Sequence, residues 1–226
     1  IQRTHASQEQ ETIETQLTRA FRPERLSDLV RHGASKAVVK VEGTPPGYTL
    51  TIQGANGKGA SDNRVRWPDV ARSVYIPVKD MLGHSVGFLS LYERREIDFE
   101  EMYRTILSQA FLPPLRESAR QDVAPLLELL ETKMEGRVEV EGERFYLVGR
   151  EGRLDMHLVA EGWRKLALLY LLVANGSLGP GSVLFWDEPE TNLNPSLMDE
   201  VIAVLLELAR RGTQVFLATH SYLILK

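Results

Sequence analysis

Cysteine is missing from all 226 residues. That excludes a disulfide framework, a thiolate zinc site and a cysteine nucleophile. Long apolar runs are missing too: the densest, around Leu166 to Ala174, is far short of the roughly 20 residues a bilayer crossing needs. No charged-then-apolar signal segment opens the chain, so the expectation is a cytoplasmic protein with no membrane partner. An excess of positive charge is also lacking. The 27 Lys+Arg against 31 Asp+Glu give a formal net charge of −4, which does not suit indiscriminate nucleic-acid binding, and any DNA contact would be local. No Gly-x-Ser-x-Gly elbow occurs, so serine-nucleophile chemistry has no support. What remains is 43% hydrophobic and 26% charged, the proportions of a globular protein able to enclose a core in one large domain or two small ones. The chain opens on Ile1 rather than Met and stops at Lys226 just after a strand-like segment, so it reads as a piece of something longer.

Periodicity supplies the elements. Ser7 to Phe21 carries a weak helical stripe that Pro23 ends. Ala37 to Val41 and Tyr48 to Ile52 alternate as two strands of a hairpin, and Gly54 to Asn63 reads as a flexible turn. Ser73 to Pro77 is a short buried strand, and Phe88 to Tyr92 fits either a strand or the start of a helix. The stripe Phe99, Met102, Tyr103, Ile106, Leu107, Ala110 marks an amphipathic helix closed by Pro113-Pro114, and a second helix runs from about Ser118 to Met134. Val138 to Val140, Arg144 to Val148 and Leu154 to Leu158 form a three-strand meander. The last third reads as a helix from Glu161 to Ala174, an apolar strand from Ser182 to Trp186, a helix capped by Asn194 with Pro195 in its first turn, and a strand from Gln214 to Ala218. Strand, helix, strand at this spacing predicts a right-handed crossover in a parallel sheet.

Apolar residues running into Asp187-Glu188 place two carboxylates at the carboxyl end of a parallel strand, where open α/β sheets bind ligands. In phosphate-transfer sites such an aspartate holds Mg²⁺, since a hard cation takes oxygen ligands, and an adjacent glutamate polarises the attacking water. An acidic strand end opening a polar loop fits the same residues. Glu190-Thr191-Asn192-Leu193-Asn194-Pro195 follows at once, and Ala218-Thr219-His220-Ser221 ends the next strand.

This ordered set resembles the ATP-binding-cassette (ABC) type ATPases. Val183 to Glu188 matches their Walker B strand, Glu190 to Pro195 their D-loop and His220 their switch histidine. Upstream, Val159-Ala160-Glu161-Gly162-Trp163-Arg164-Lys165-Leu166 occupies the place of their signature motif, a turn and helix N-terminus that address a partner subunit's γ-phosphate. Gly162 fits a close approach of backbone to phosphate. Ala160 stands where many members have serine. A simple loop-to-helix junction with Trp163 packed beside it fits the same stretch.

The resemblance implies a P-loop NTPase ABC-type head of α/β class: a mixed sheet with a parallel core, an antiparallel β-subdomain, a helical signature subdomain and a missing N-terminal portion. The expected divisions are 1–97 as a partial N-terminal lobe with the hairpin, 98–160 as a helical insertion with the meander, and 161–226 as the core. ATP and Mg²⁺ are the implied cofactors. Asp187 is the implied metal ligand, Glu188 the general base and His220 the γ-phosphate sensor. Asn192 and Asn194 would lie across a homodimer seam, and Glu161, Gly162 and Trp163 would face the partner's nucleotide. The stretch from Phe185 to Pro195 looks less like a membrane transporter than like the soluble ATPases grouped with RecF, SMC and the overcoming-lysogenisation-defect proteins. These act in DNA repair, chromosome handling and anti-phage defence, often with a nuclease or toxin partner. A transporter's nucleotide-binding subunit and a non-catalytic scaffold remain as alternatives.

Two family features are absent. The pattern G-x-x-x-x-G-K-S/T that wraps backbone amides around phosphates does not occur; Gly54 to Ser61 is the nearest imitation and reads as a loop between strands. Little or no ATPase activity is therefore expected of these residues alone. The strand Val74 to Val78 resembles the family's glutamine-ending strand but lacks the glutamine, leaving Lys79 or Asp80 as replacements. His84 and His157 read as structural or surface residues with no second ligand at metal spacing. The pairs Arg94-Arg95, Arg64 with Arg66, and Arg116 with Arg120 read as a solvated face, with nucleic-acid backbone contact as the alternative.

Overall fold

The computed structural model describes residues 12–41, 48–55, 57, 59–62 and 72–225. The chain packs as two compact units, Ile1–Val70 and Ala71–Lys226.

In the first unit, α1 (Ile13–Phe21) begins at Thr12, whose hydroxyl accepts from the Thr15 N–H at 3.2 Å. The expected helix started at Ser7, and residues 7–11 lie outside the described residues. Strands β1 (Lys36–Val41) and β2 (Tyr48–Gln53) pair antiparallel with Val39 opposite Leu50. A third strand, β3 (Ala60–Asp62), joins the other edge of β2. The stretch expected as a flexible turn thus contains a strand. Its polar, glycine-rich sequence carries no alternation to reveal it, and pairing is driven by the open N–H and C=O groups along β2. Leu17, Val30 and Ile52 form this unit's small core.

The second unit runs β4 (Ser73–Ile76), α2 (Phe88–Glu93), α3 (Glu101–Ala110), α4 (Glu117–Met134), β5 (Gly136–Glu141), β6 (Arg144–Gly149), β7 (Gly152–Asp155), α5 (Glu161–Ala174), β8 (Val183–Asp187), α6 (Pro195–Arg210), β9 (Gln214–Ala218) and α7 (Tyr222–Leu225). Phe88 to Tyr92, left open between strand and helix, is helical. The meander β5–β6–β7 is antiparallel as expected, but its last strand stops at Asp155. There the Asp155 carboxylate accepts from the His157 N–H at 3.1 Å and caps a 3₁₀ turn over Met156–Leu158, so His157 is not in a strand. In α4, Pro125 does not end the helix. Burial of Val123, Leu126, Leu127, Leu130 and Met134 along one stripe outweighs the roughly 3 kcal/mol such a proline costs.

Strands β4, β8 and β9 form a parallel sheet in that order. Alternation sends Val74, Ile76, Leu184 and Trp186 into the core, while Tyr75, Phe185 and Phe216 stand in register on the exposed face. Helix α5 is buried over Gly162 and continuously from Lys165 to Val173. A helix apolar on nearly every side becomes the centre of its unit, and the charge at Lys165 is carried inside with it.

Candidate active site

Strand β8 delivers Asp187 and Glu188 to the carboxyl end of the parallel sheet. Glu188 leaves the strand with φ +47°, which aims its peptide back toward β9: its N–H donates to the Ala218 carbonyl at 2.8 Å. The Glu188 carboxylate accepts from the Thr191 hydroxyl at 2.9 Å and lies 3.7 Å from His220 Nδ1. The acidic strand end and the histidine one strand over therefore meet at one edge. The His220 side chain is 76% exposed, so its ring is open to a ligand from solvent. The Tyr75 hydroxyl donates to Asp187 Oδ2 at 3.4 Å, a long contact that leaves the carboxylate with acceptor capacity. Burial, and then the Asp187 charge, push the Tyr75 phenol above its ordinary value.

The loop after Glu188 is tied down from both sides by groups the motif reading did not single out. The Glu190 carboxylate, 10% exposed, accepts through one oxygen from the Thr219 hydroxyl at 2.8 Å and from the His220 and Ser221 N–H groups, both at 3.1 Å. Burial alone would raise its pKa; the hydrogen bonds and the His220 ring outweigh that and hold it low. On the other side, the Lys165 ammonium donates to the Thr191 carbonyl at 2.5 Å, to Pro189 at 3.2 Å and to Glu188 at 3.5 Å. A lysine opening the long apolar stretch of α5 was the available signal, because a buried ammonium must find acceptors.

The signature stretch meets the same loop. Glu161 accepts from the Asn192 amide at 2.8 Å, and Asn192 itself has φ +60°. A Cβ built on Gly162 would fall 2.2 Å from Leu197 Cδ2 and 2.9 Å from Leu193 Cδ2. Packing against α6 is thus a reason for glycine here that stands beside the phosphate-approach reason. Trp163 packs on the main core and lines a cavity of about 470 Å³ with Met134, Leu147, Leu154 and Leu158. Asn194 is engaged locally: its side-chain oxygen caps α6 by accepting from the Leu197 N–H at 2.8 Å.

Of the two replacements considered for the missing glutamine, Asp80 is occupied elsewhere. Its carboxylate is 3% exposed, pairs with Arg164 Nε at 2.7 Å and accepts from the Leu82 and Gly83 N–H groups at 3.1 and 3.3 Å. Burial pushes its pKa up against the pull of Arg164. Lys79 is exposed. Arg94, Arg95, Arg116 and Arg120 are exposed as expected of a solvated face, and Arg64 and Arg66 lie outside the described residues. The stretch Gly54 to Ser61 leads into β3 rather than a helix, and its last two residues, Ala60 and Ser61, are strand and not loop because they pair with β2.

The donor set fits a hard divalent cation and a nucleotide's phosphates. It consists of carboxylate oxygens from Asp187 and Glu188, with no sulfur ligand and a single imidazole beside them. No group of three or more His, Cys, Asp or Glu that could cage an ion by itself occurs among the described residues. Other ligands would have to come from water and phosphate, as is usual for Mg²⁺.

The fold is that of an ABC-type ATPase head. The chain belongs to the AAA domain family described as "AAA domain, putative AbiEii toxin, Type IV TA system", whose model matches residues 59–226. Its fold is similar to that of an SmcHead solved bound to the C-winged helix domain of ScpA, with a TM-score of 0.55 at 12% identity over 91% of this chain and 74% of that one. In sequence it is 34% identical over 116 residues to the energy-coupling factor transporter ATP-binding protein EcfA of Methanothermobacter thermautotrophicus. That match takes in 50% of this chain, and the chain spans about a third of the relative's length. No helix among the described residues is long and apolar enough to cross a membrane.

Proposed function

We propose that the protein binds and hydrolyses ATP as a head-to-tail pair of heads that closes on nucleotide and reopens on hydrolysis, working in a DNA-repair, chromosome-handling or phage-defence system. The observation that carries this reading is the approach of His220 to Glu188 at 3.7 Å beside Asp187. Asp187 would hold Mg²⁺ directly or through water, and the bound ion would neutralise developing charge on the phosphate oxygens. Glu188 orients and deprotonates the lytic water, with the Thr191 hydroxyl fixing one carboxylate oxygen and leaving the other toward His220. His220 senses the γ-phosphate, and its backbone position is held by Glu190. In this reading the second head would approach the backbone from Glu161 to Trp163 and the loop from Asn192 to Asn194, although Gly162 and Trp163 pack on their own chain and Asn194 caps α6, and the N-terminus of α5 would offer partial positive charge to phosphate. The family's description, with its words "putative AbiEii toxin, Type IV TA system", supports the defence arm.

A second reading, the nucleotide-binding subunit of a transporter, is favoured by the likeness to EcfA and disfavoured by Ala160-Glu161-Gly162-Trp163 in place of a Ser-Gly-Gly-Gln signature. Co-purification with an integral membrane subunit separates the two. The catalytic reading is tested by Glu188→Gln in the full-length protein: ATP binding and nucleotide-dependent pairing persist while turnover falls by about 10²- to 10⁴-fold. Unchanged hydrolysis by that variant removes Glu188 from the role.

A further inference from the structure

We propose that Lys165 is a positioning residue that sets the loop carrying Glu188 and couples its placement to the helix that begins at Glu161. The inference rests on the ATPase reading above and adds a part that the motif comparison does not assign.

Lys165 is 4% exposed and sits one turn into α5, directly after the segment that faces the second head in that reading. Its ammonium has three N–H donors, and three carbonyls of one loop surround it: Thr191, Pro189 and, at the outer limit of a hydrogen bond, Glu188. The loop needs such a hold. It contains two non-glycine residues in the left-handed region, Glu188 at φ +47° and Asn192 at φ +60°, conformations that persist only where the surroundings over-determine them. Within the loop, Thr191 N–H bonds the Glu188 carbonyl at 3.1 Å and Leu193 N–H bonds the Glu190 carbonyl at 3.1 Å. The Pro189 and Thr191 carbonyls are left to Lys165.

The charged groups around the ammonium are Glu161 on its own helix, Glu188 and Glu190 on the loop, and Asp80 after β4. Desolvation works against the charge and these carboxylates work for it. A neutral core side chain would have supported α5 more cheaply. What the lysine adds is a rigid link between α5 and the loop: a shift of α5 when a second head closes moves three carbonyls, and the carboxylate of Glu188 moves with them. Displacement of a reacting group by about 1 Å is enough to cost about 100-fold in rate.

The test compares Lys165→Met, which keeps length and burial but removes the donors, with Lys165→Arg, which restores charge and donors, both in the full-length protein. The expected result is that Lys165→Met binds ATP within about threefold of the parent while kcat falls about 100-fold, and that Lys165→Arg regains at least about tenfold of the loss. A Lys165→Met variant with the parent's kcat overturns the inference. So does a folded Lys165→Arg as slow as the methionine variant. Parallel loss of folding, binding and turnover in both variants overturns it too, since the lysine then serves the core alone. The parent's own rate is measured first: no hydrolysis there is a failure of the ATPase reading, whereas a hydrolysing parent unaffected by Lys165→Met is a failure of this inference alone.

Discussion

Two regions of the second unit use charged side chains in contrasting ways. Across the meander, Arg144 meets Asp155 at 2.7 Å, Arg137 meets Glu139 at 2.9 Å, and Arg153 reaches both Glu139 and Glu141 while its guanidinium lies over the Tyr146 ring. These arginines stand largely in solvent, where pairs contribute about 0–1 kcal/mol each. At the carboxyl end of the parallel sheet, Asp80, Lys165 and Glu190 are almost wholly enclosed. There each charge has been stripped of water, so its partners are obligatory, and removing one strands the other. The contrast teaches where the chain can tolerate change: similar ion pairs are decoration on the meander and framework at the sheet edge.

The largest effect on stability should come from Arg164→Met. It leaves the Asp80 carboxylate buried with two backbone N–H partners, and a loss of about 3–5 kcal/mol is expected in chemical denaturation. Burial already holds the Asp80 pKa above its ordinary value. Proton uptake by the folded state therefore relieves the strain, and the variant's deficit should be smaller at pH 5 than at pH 8. A deficit under 1 kcal/mol would put this pair in the same class as the meander's.

Glu190→Gln comes next. The amide can still accept from one or two of the three donors at residues 219–221, but loses the charge that strengthens all of them, for an expected cost of about 1–3 kcal/mol. Since the parent carboxyl is held low, its stabilisation is present above the ordinary carboxylate pKa and fades as pH falls. Thermal unfolding of parent and variant should accordingly converge on acidification.

Asp155→Asn should be the mildest. Burial opposes ionisation at this site, but the side-chain and backbone hydrogen bonds of His157 and the hydrogen bond of Arg144 outweigh it and bring the Asp155 pKa down to about 2. The parent should lose this contribution between about pH 4 and pH 2, as protons bind the unfolded state first and the folded state last. The asparagine can still cap the turn but loses the charge that His157 and Arg144 hold, so after discounting for solvent screening a loss of about 1 kcal/mol at pH 7 is expected, with a flatter acid limb. A larger loss would mean that the meander's pairs are worth more than exposed ion pairs usually are.

Much of the second unit was legible in the residues. The boundaries of α5 and the cap of α6 follow from apolar spacing and from Asn194-Pro195, and β8 and β9 from short apolar runs ending in polar residues. Departures came where local pattern is uninformative: β3 is polar and three residues long, and Leu154 to Leu158 has strand-like content that Asp155 redirects into a 3₁₀ turn. At the site, the order of an acidic strand end, a crossover helix and a strand ending in histidine is enough to bring Glu188 and His220 to one sheet edge. Lys165 and Glu190 lie within the signature and D-loop stretches, where residue order alone assigns them no part.

Local spacing along the chain specified the elements, the parallel strand ends and the residue types gathered there, because periodicity and capping act over a few neighbours. Which polar groups lose their water, and with whom they then pair, emerged only when α5 and the loop after β8 came together across more than twenty residues of sequence. Desolvation is a property of the packed surroundings, and no single stretch of chain encodes it.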